Sequence, residues 1–270
     1  MAERASRREF RRVWLFLGLV VRSTGGVGGL YLLFPQPLTA VFGPFVYGSP
    51  AYLLAACSPT LVALALTLAF EGTAGLGRLG RRLIQVTPLW ALALAFLALP
   101  AIALGLSLLV PAFGAWPVRP ADVLVATPLL LFTTAQILTN SGPLGEELGW
   151  RGYALPRLLD RWPPLVAGGA LGVVWTIWHI PAFLFSGIVN SSLSNLGWYA
   201  LGTIALSLLM TWLFTRTRGG VLIAGIVPHF VINGLGAVGA WRTRPAEAMA
   251  LALLALALFV LWPPNGRKQH

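Results

Sequence analysis

Residues 89–111 read LWALALAFLALPAIALGLSLLVP, 23 positions without one ionisable side chain. A helix of about 20 apolar residues crosses the hydrocarbon layer of a bilayer. A barrel strand alternates with period two, and this run does not. The stretch therefore predicts a membrane-spanning helix, and comparable runs flank it on both sides. Eight candidate spans result, at 13–34, 51–70, 89–111, 123–141, 165–185, 196–215, 221–240 and 247–262. The first contains Arg22 and several glycines, and the fourth is short and ends in polar residues. The fold class predicted is all-α, a polytopic transmembrane helical bundle of about eight spans. It forms a single integral membrane domain over residues 1–270, with no internal repeat, linker or separate soluble domain.

Composition agrees. The chain is 57% hydrophobic and 10% charged, with mean hydropathy +0.79. Soluble domains are about one-quarter charged, so a water-soluble core is excluded. The net charge of +11 does not point to nucleic acid, because the basic residues sit at the ends of apolar segments and form no basic domain. Fifteen Lys and Arg fall in segments 1–12, 71–88, 142–164, 216–220 and 263–270, against three (Arg119, Arg242 and Arg244) in the opposite loops. This bias predicts both termini in the cytoplasm and an even number of spans in the cell membrane. The segment from Val13 lacks a small-residue cleavage site after a short core and reads as a retained first span. Segment 71–88 reads as an ordinary inside loop, with a short amphipathic surface helix as the alternative. Gly168, Gly169 and Gly172 form a small-residue pattern suited to close helix packing. The lone Cys57 permits no internal disulfide and reads as a small packing residue.

Ionisable and strongly polar side chains are costly in a bilayer unless they face a partner or a cavity. Only eight Asp and Glu occur in the chain, yet two are adjacent in GEELGWRG, residues 145–152. Glu147 and Arg151 stand at i,i+4, the spacing of an ion pair on one helix face. Glu146 is rotated by about 100° and escapes that pairing, so one carboxylate is clamped and the other is free. Gln136 and Asn140 precede them as a polar stripe, interrupted at Gly142-Pro143. His179 and His229 lie inside apolar spans, and Asn233 shares a helix face with His229. Pro228 frees a carbonyl one turn earlier and loosens the helix beside His229.

Two glutamates, two histidines and an asparagine on separate spans suit one chemistry. A carboxylate and a neutral imidazole activate water for attack on a carbonyl. His229 and Asn233 supply donors to the oxygen on which charge develops. Each residue alone has a structural alternative: a buried His or Asn bonds neighbouring helices, and a Glu–Arg pair anchors a helix end. Two His and a carboxylate also suit zinc, although the short-spaced HExxH helix is absent.

Glu146-Glu147-x-x-x-Arg151, His179 with an aromatic four residues before it, and His229-x-x-x-Asn233 resemble the three motifs of the CPBP family. That family comprises intramembrane endopeptidases related to the CAAX prenyl proteases and bacteriocin-processing homologues. The motifs fall within residues 140–235. The resemblance implies a helical bundle with a cavity open to the cytosol. It implies that Glu146 activates water with help from His179, that His229 and Asn233 form the oxyanion hole, and that Glu147 and Arg151 support the site. It also implies no cofactor, zinc being the less favoured option, and a membrane-associated protein or peptide as substrate. Trp175 stands where the family pattern has Phe and keeps an aromatic wall. Two other classes remain open: a non-catalytic immunity or scaffold protein of the same fold, and a small proton-coupled transporter.

Overall fold

The computed structural model describes residues 2–109, 142–185, 192–237 and 239–264, with residues 2–8 by backbone alone. Its helices are α1 (Ala2–Leu33), α2 (Pro35–Phe42), α3 (Pro50–Ala56), α4 (Ser58–Leu83), α5 (Leu89–Leu109), α6 (Pro143–Glu147), α7 (Leu155–Leu159), α8 (Pro164–His179), α9 (Leu196–Arg216), α10 (Val227–Ala237) and α11 (Pro245–Leu261). Wide π-type turns occupy Leu148–Ala154 and Leu222–Ile226, and short 3-10 turns occupy Ile180–Leu184 and Leu193–Asn195. No strand occurs among the described residues.

Five segments are long and apolar enough to cross a membrane: Glu9–Leu33, Ser58–Leu83, Leu89–Leu109, Pro164–Leu184 and Leu193–Arg216. Leu222–Ala237 and Pro245–Leu261 are apolar but shorter. These seven match seven of the predicted spans, and the remaining one, 123–141, lies outside the described residues. The chain is a multi-pass helical membrane protein.

Proline opens most of these helices near the first turn, as at Pro50, Pro59, Pro143, Pro164 and Pro245. Its missing N–H is no loss there, because the first-turn donors have no intrahelical partner. Glu247 closes the start of α11 by accepting from the backbone N–H groups of Arg242 (3.0 Å) and Arg244 (2.8 Å). Along α5 the buried positions include Ala91, Ala95 and Ala98, while Leu97, Leu104 and Leu108 are exposed. Lipid tails are as apolar as leucine, so helices associate through small residues rather than by hiding large ones.

One segment departs from the sequence reading and a second is placed by the structure more deeply than a loop would be. Residues 71–88 are helical as far as Leu83, because α4 continues through a kink at Gly72, where φ is +64°. Glycine takes that left-handed conformation without steric cost. Residues 142–154, read from sequence as a helix that resumes after Gly142-Pro143 and carries the glutamates to or into a recess on the inside face, are helical and packed into the bundle against α4. The other segments assigned to the same side do meet. Arg157 Nε donates to Glu9 Oε2 (3.0 Å) and the same guanidinium pairs with Glu71. Arg82 reaches the Gly152 carbonyl (3.1 Å), Gln85 the Thr217 carbonyl (2.6 Å), and Arg216 the Trp262 carbonyl (2.8 Å).

The α8–α9 contact rests on two of the three predicted glycines. A Cβ on Gly172 would lie 2.7 Å from Ile204 Cα, and one on Gly168 would lie 2.6 Å from Thr211 Oγ1. Ser207 donates to the Gly168 carbonyl across the same contact (2.8 Å). Gly169 points away, with no atom within 4 Å of its Cβ position. Gly172→Ala should therefore lower stability by about 1–3 kcal/mol, the usual penalty of overpacking. Gly169→Ala should raise it by up to about 1 kcal/mol, the helix-propensity difference. Thermal denaturation of both variants in detergent micelles checks the contrast.

Candidate active site

Gly142, at φ +70°, admits the chain to α6, and Pro143 starts that helix. Three close approaches then fix the segment against the start of α4. Thr60 Oγ1 donates to the Leu144 carbonyl (2.9 Å). A Cβ on Gly145 would lie 2.8 Å from Cys57 Sγ, and one on Gly149 only 2.4 Å from the Pro59 carbonyl oxygen. Any side chain at residue 149 would strike backbone, so glycine lets the segment lie that close. The helix then widens into the 148–154 turn, a distortion common at functional sites.

This packing sets both glutamates inside the bundle rather than at its edge. Glu147 and Arg151 are 0% exposed, and Glu146 and His229 are 4% exposed. Three side chains, Arg151, His229 and Trp175, face the two carboxylates. Arg151 Nη1 lies 3.0 Å from each oxygen of Glu147. His229 Nδ1 donates to Glu147 Oε1 (2.8 Å). Trp175 Nε1 donates to Glu146 Oε2 (2.8 Å). His229 Nε2 faces Glu146 Oε1 across 4.0 Å. The second wide turn, 222–226, brings Gly225 beside the pair, where a Cβ would sit 2.8 Å from Glu147 Oε2. It ends two residues before Pro228, whereas the helix beside His229, expected to be loosened, is regular.

The aromatic groups connect these charges to the second histidine. The Arg151 guanidinium lies 4.4 Å from the centroid of the Trp175 ring. The Trp175 and His229 rings meet edge to face at 5.2 Å. His179 Nδ1 bonds to the Trp175 carbonyl (2.9 Å). A carbonyl can only accept, so that nitrogen carries the proton and Nε2 of a neutral His179 holds the lone pair. Trp178 and Tyr199 enclose the same imidazole at 4.7 and 5.6 Å.

Of the six residues singled out from sequence, Glu146, Glu147, Arg151 and His229 form one contact cluster. His179 joins it through Trp175. Asn233 is half-buried one turn beyond His229 on α10, with no hydrogen bond to the glutamates among the described residues. Gln136 and Asn140 lie outside the described residues. Sequence reading missed two participants. Trp175 was read as a wall, although its N–H is a donor that Phe lacks. Tyr199 signals itself only as a phenol early in an apolar span. Among the described residues no three of His, Cys, Asp and Glu are placed to hold a metal ion together.

Residues 126–235, which include all six positions, match the family described as type II CAAX prenyl endopeptidase Rce1-like. Over 93 residues the chain is 32% identical to the CAAX prenyl protease 2 of Methanococcus maripaludis, covering 33% of this chain and 34% of that protein. Over 128 residues it is 27% identical to a Mycolicibacterium smegmatis protein named as an amidate substrates transporter, covering 46% of this chain and 52% of that one. The chain thus aligns with about a third to a half of the length of these curated relatives.

Arg151→Ala should be severely destabilising. It leaves the wholly buried Glu147 without its cation, a loss of about 3–5 kcal/mol for broken buried pairs. Glu147→Ala combined with Arg151→Ala should cost less than the two single changes added together, because the pair acts as a unit. Denaturation of the three variants in detergent measures the coupling.

Proposed function

We propose, from the premise that this chain belongs to a CAAX-protease-like family through residues 126–235, that it is an intramembrane endopeptidase. It hydrolyses a peptide bond of a membrane-associated protein or peptide, by way of water activated by Glu146. One observation carries this reading: Glu146 Oε1 and His229 Nε2 face one another across 4.0 Å, and each group is anchored at its other polar atom. A separation of that size suits one bridging water.

In this mechanism Glu146 takes a proton as the water oxygen attacks the scissile carbonyl carbon. His179 assists through its Nε2 lone pair. The carbonyl π electrons move onto oxygen, where His229 and Asn233 donate. Glu147 accepts from His229 Nδ1 and holds the ring in place, and a second proton at Nε2 makes that nitrogen the donor to the oxyanion. The proton held by Glu146 passes to the leaving nitrogen as the C–N bond breaks. No step needs a metal. The substrate reaches the site from the bilayer, and the cavity faces the cytoplasm of the cell membrane.

Peptidomics of membranes from cells carrying wild type or Glu146→Ala identifies the peptide released, which then serves as the assay substrate. Glu146→Ala, His179→Ala and His229→Ala should each abolish its cleavage while the protein still inserts. Asn233→Ala should lower kcat about 10²–10³-fold, the usual effect of removing one oxyanion donor. EDTA should leave the rate unchanged. Full activity in Glu146→Ala overturns the reading, and activity lost to EDTA and restored by zinc overturns its metal-free chemistry. The name of the Mycolicibacterium relative favours transport as a second reading. Uptake into liposomes that depends on Glu146, with no peptide released, would decide for it.

A further inference from the structure

Trp175 makes four separate contacts, and each involves a group already assigned to the chemistry. Its indole N–H donates to Glu146 Oε2 (2.8 Å). Its backbone carbonyl accepts from His179 Nδ1 (2.9 Å). One ring face lies under the Arg151 guanidinium, and the ring meets His229 edge to face. The side chain is 3% exposed, so water does not compete for the N–H.

A carboxylate turns readily about its last torsion. A buried carboxylate with neither oxygen held would present a mixture of orientations to the water. Here Oε2 is held by the indole, which leaves Oε1 on the side of His229 Nε2, 4.0 Å away. The indole cannot rotate to release it without giving up its packing under Arg151 and against His229. Phenylalanine at the same position would preserve the apolar wall and the packing under Arg151, but would supply no donor. The carbonyl bond to His179 would survive any substitution, because it is made by the backbone.

We propose that Trp175 is a positioning residue for hydrolysis. Its indole N–H fixes the Glu146 carboxylate so that Oε1 faces the gap in which water is activated. The inference rests on the reading of Glu146 as the base. Removing the donor has two consequences. The carboxylate loses its orientation, and its ionised form loses a hydrogen bond, so it protonates at higher pH.

The test uses Trp175→Phe and the peptide released by wild-type membranes. The variant should lower kcat about ten- to a hundredfold with KM little changed, the scale of one hydrogen bond to a charged group. The acid limb of its kcat/KM profile should move up by about one pH unit. A merely structural role would lower the amount of folded protein without moving that limb. If Trp175→Phe does not accumulate, 3-benzothienylalanine incorporated at residue 175 removes the N–H and keeps the shape. A second measurement is independent of turnover. In 15N-tryptophan-labelled protein the indole signal missing from either variant is that of Trp175, and Glu146→Ala should shift it upfield. A wild-type rate and pH profile in the variant, alongside an inactive Glu146→Ala protein, overturns this inference alone, as does an indole signal that Glu146→Ala leaves unmoved. A Glu146→Ala membrane peptidome identical to wild type overturns the reading of function instead.

Discussion

A wholly buried carboxylate organises this molecule. An ion taken from water into a low-dielectric interior costs several kcal/mol unless partners surround it. Glu147 meets that demand with Arg151, one helical turn away, and with His229, which is 82 residues distant in sequence. The first partner is local and forms wherever residues 147–151 are helical. The second exists only when α10 has docked against α6. Gly225 permits the docking, because any side chain there would collide with the carboxylate it approaches. The Glu147 carboxylate thereby ties the central helices into one arrangement, and Glu146 and His229 inherit their positions from it.

The same segment is gripped from its far end. Tyr153 and Arg157 follow Arg151 along the wide turn and α7, and the Arg157 guanidinium lies 3.7 Å from the Tyr153 ring centroid. Arg157 also pairs with Glu9 of α1 and Glu71 of α4. These pairs are partly exposed, and exposed ion pairs are individually weak. Their value here is geometric, since they join three helices at the point where the segment leaves the bundle. Gly149 against Pro59 holds its middle and Thr60 its start. A helix widened by a π-type turn gives up regular hydrogen bonding, so contacts along its length must hold the distorted form.

Legibility in the sequence followed the range of the interaction. Long apolar runs disclosed the membrane helices, because each span is specified by its own residues. The Glu147–Arg151 pair was readable from a spacing of four, and the separate direction of Glu146 from the rotation between neighbours. Contacts between distant segments were not readable. Nothing in WTIWH tells which way the Trp175 indole turns, so a donor looked like a wall. The bond from His229 to Glu147 depends on a helix-docking angle. Residues 71–88 looked like a loop because glycines and charges dominate them, yet one left-handed glycine lets α4 bend and continue. The resumption of a helix after Gly142-Pro143 was readable, but the depth of the glutamates in the bundle was not, because their partners are spread over three elements. Among Gly168, Gly169 and Gly172 the pattern could not say which face meets α9.

Why two adjacent glutamates are used follows from this distribution of partners. Carboxylates on consecutive residues repel, and the repulsion grows as water is excluded. The fold separates their surroundings. Glu147 receives the cation beside both oxygens and an imidazole N–H at Oε1. Glu146 receives one neutral N–H and no direct cation, so one of its oxygens stays unpaired beside the imidazole. Exchanging the two environments would bury the useful lone pair under Arg151 and leave the structural anion uncompensated. Position along the chain decides which is which, since only residue 147 stands four before Arg151 and only residue 146 is turned toward α8. His229 is shared between them, Nδ1 to one carboxylate and Nε2 toward the other. A single imidazole thus joins the part of the site that holds the fold to the part proposed to do the chemistry.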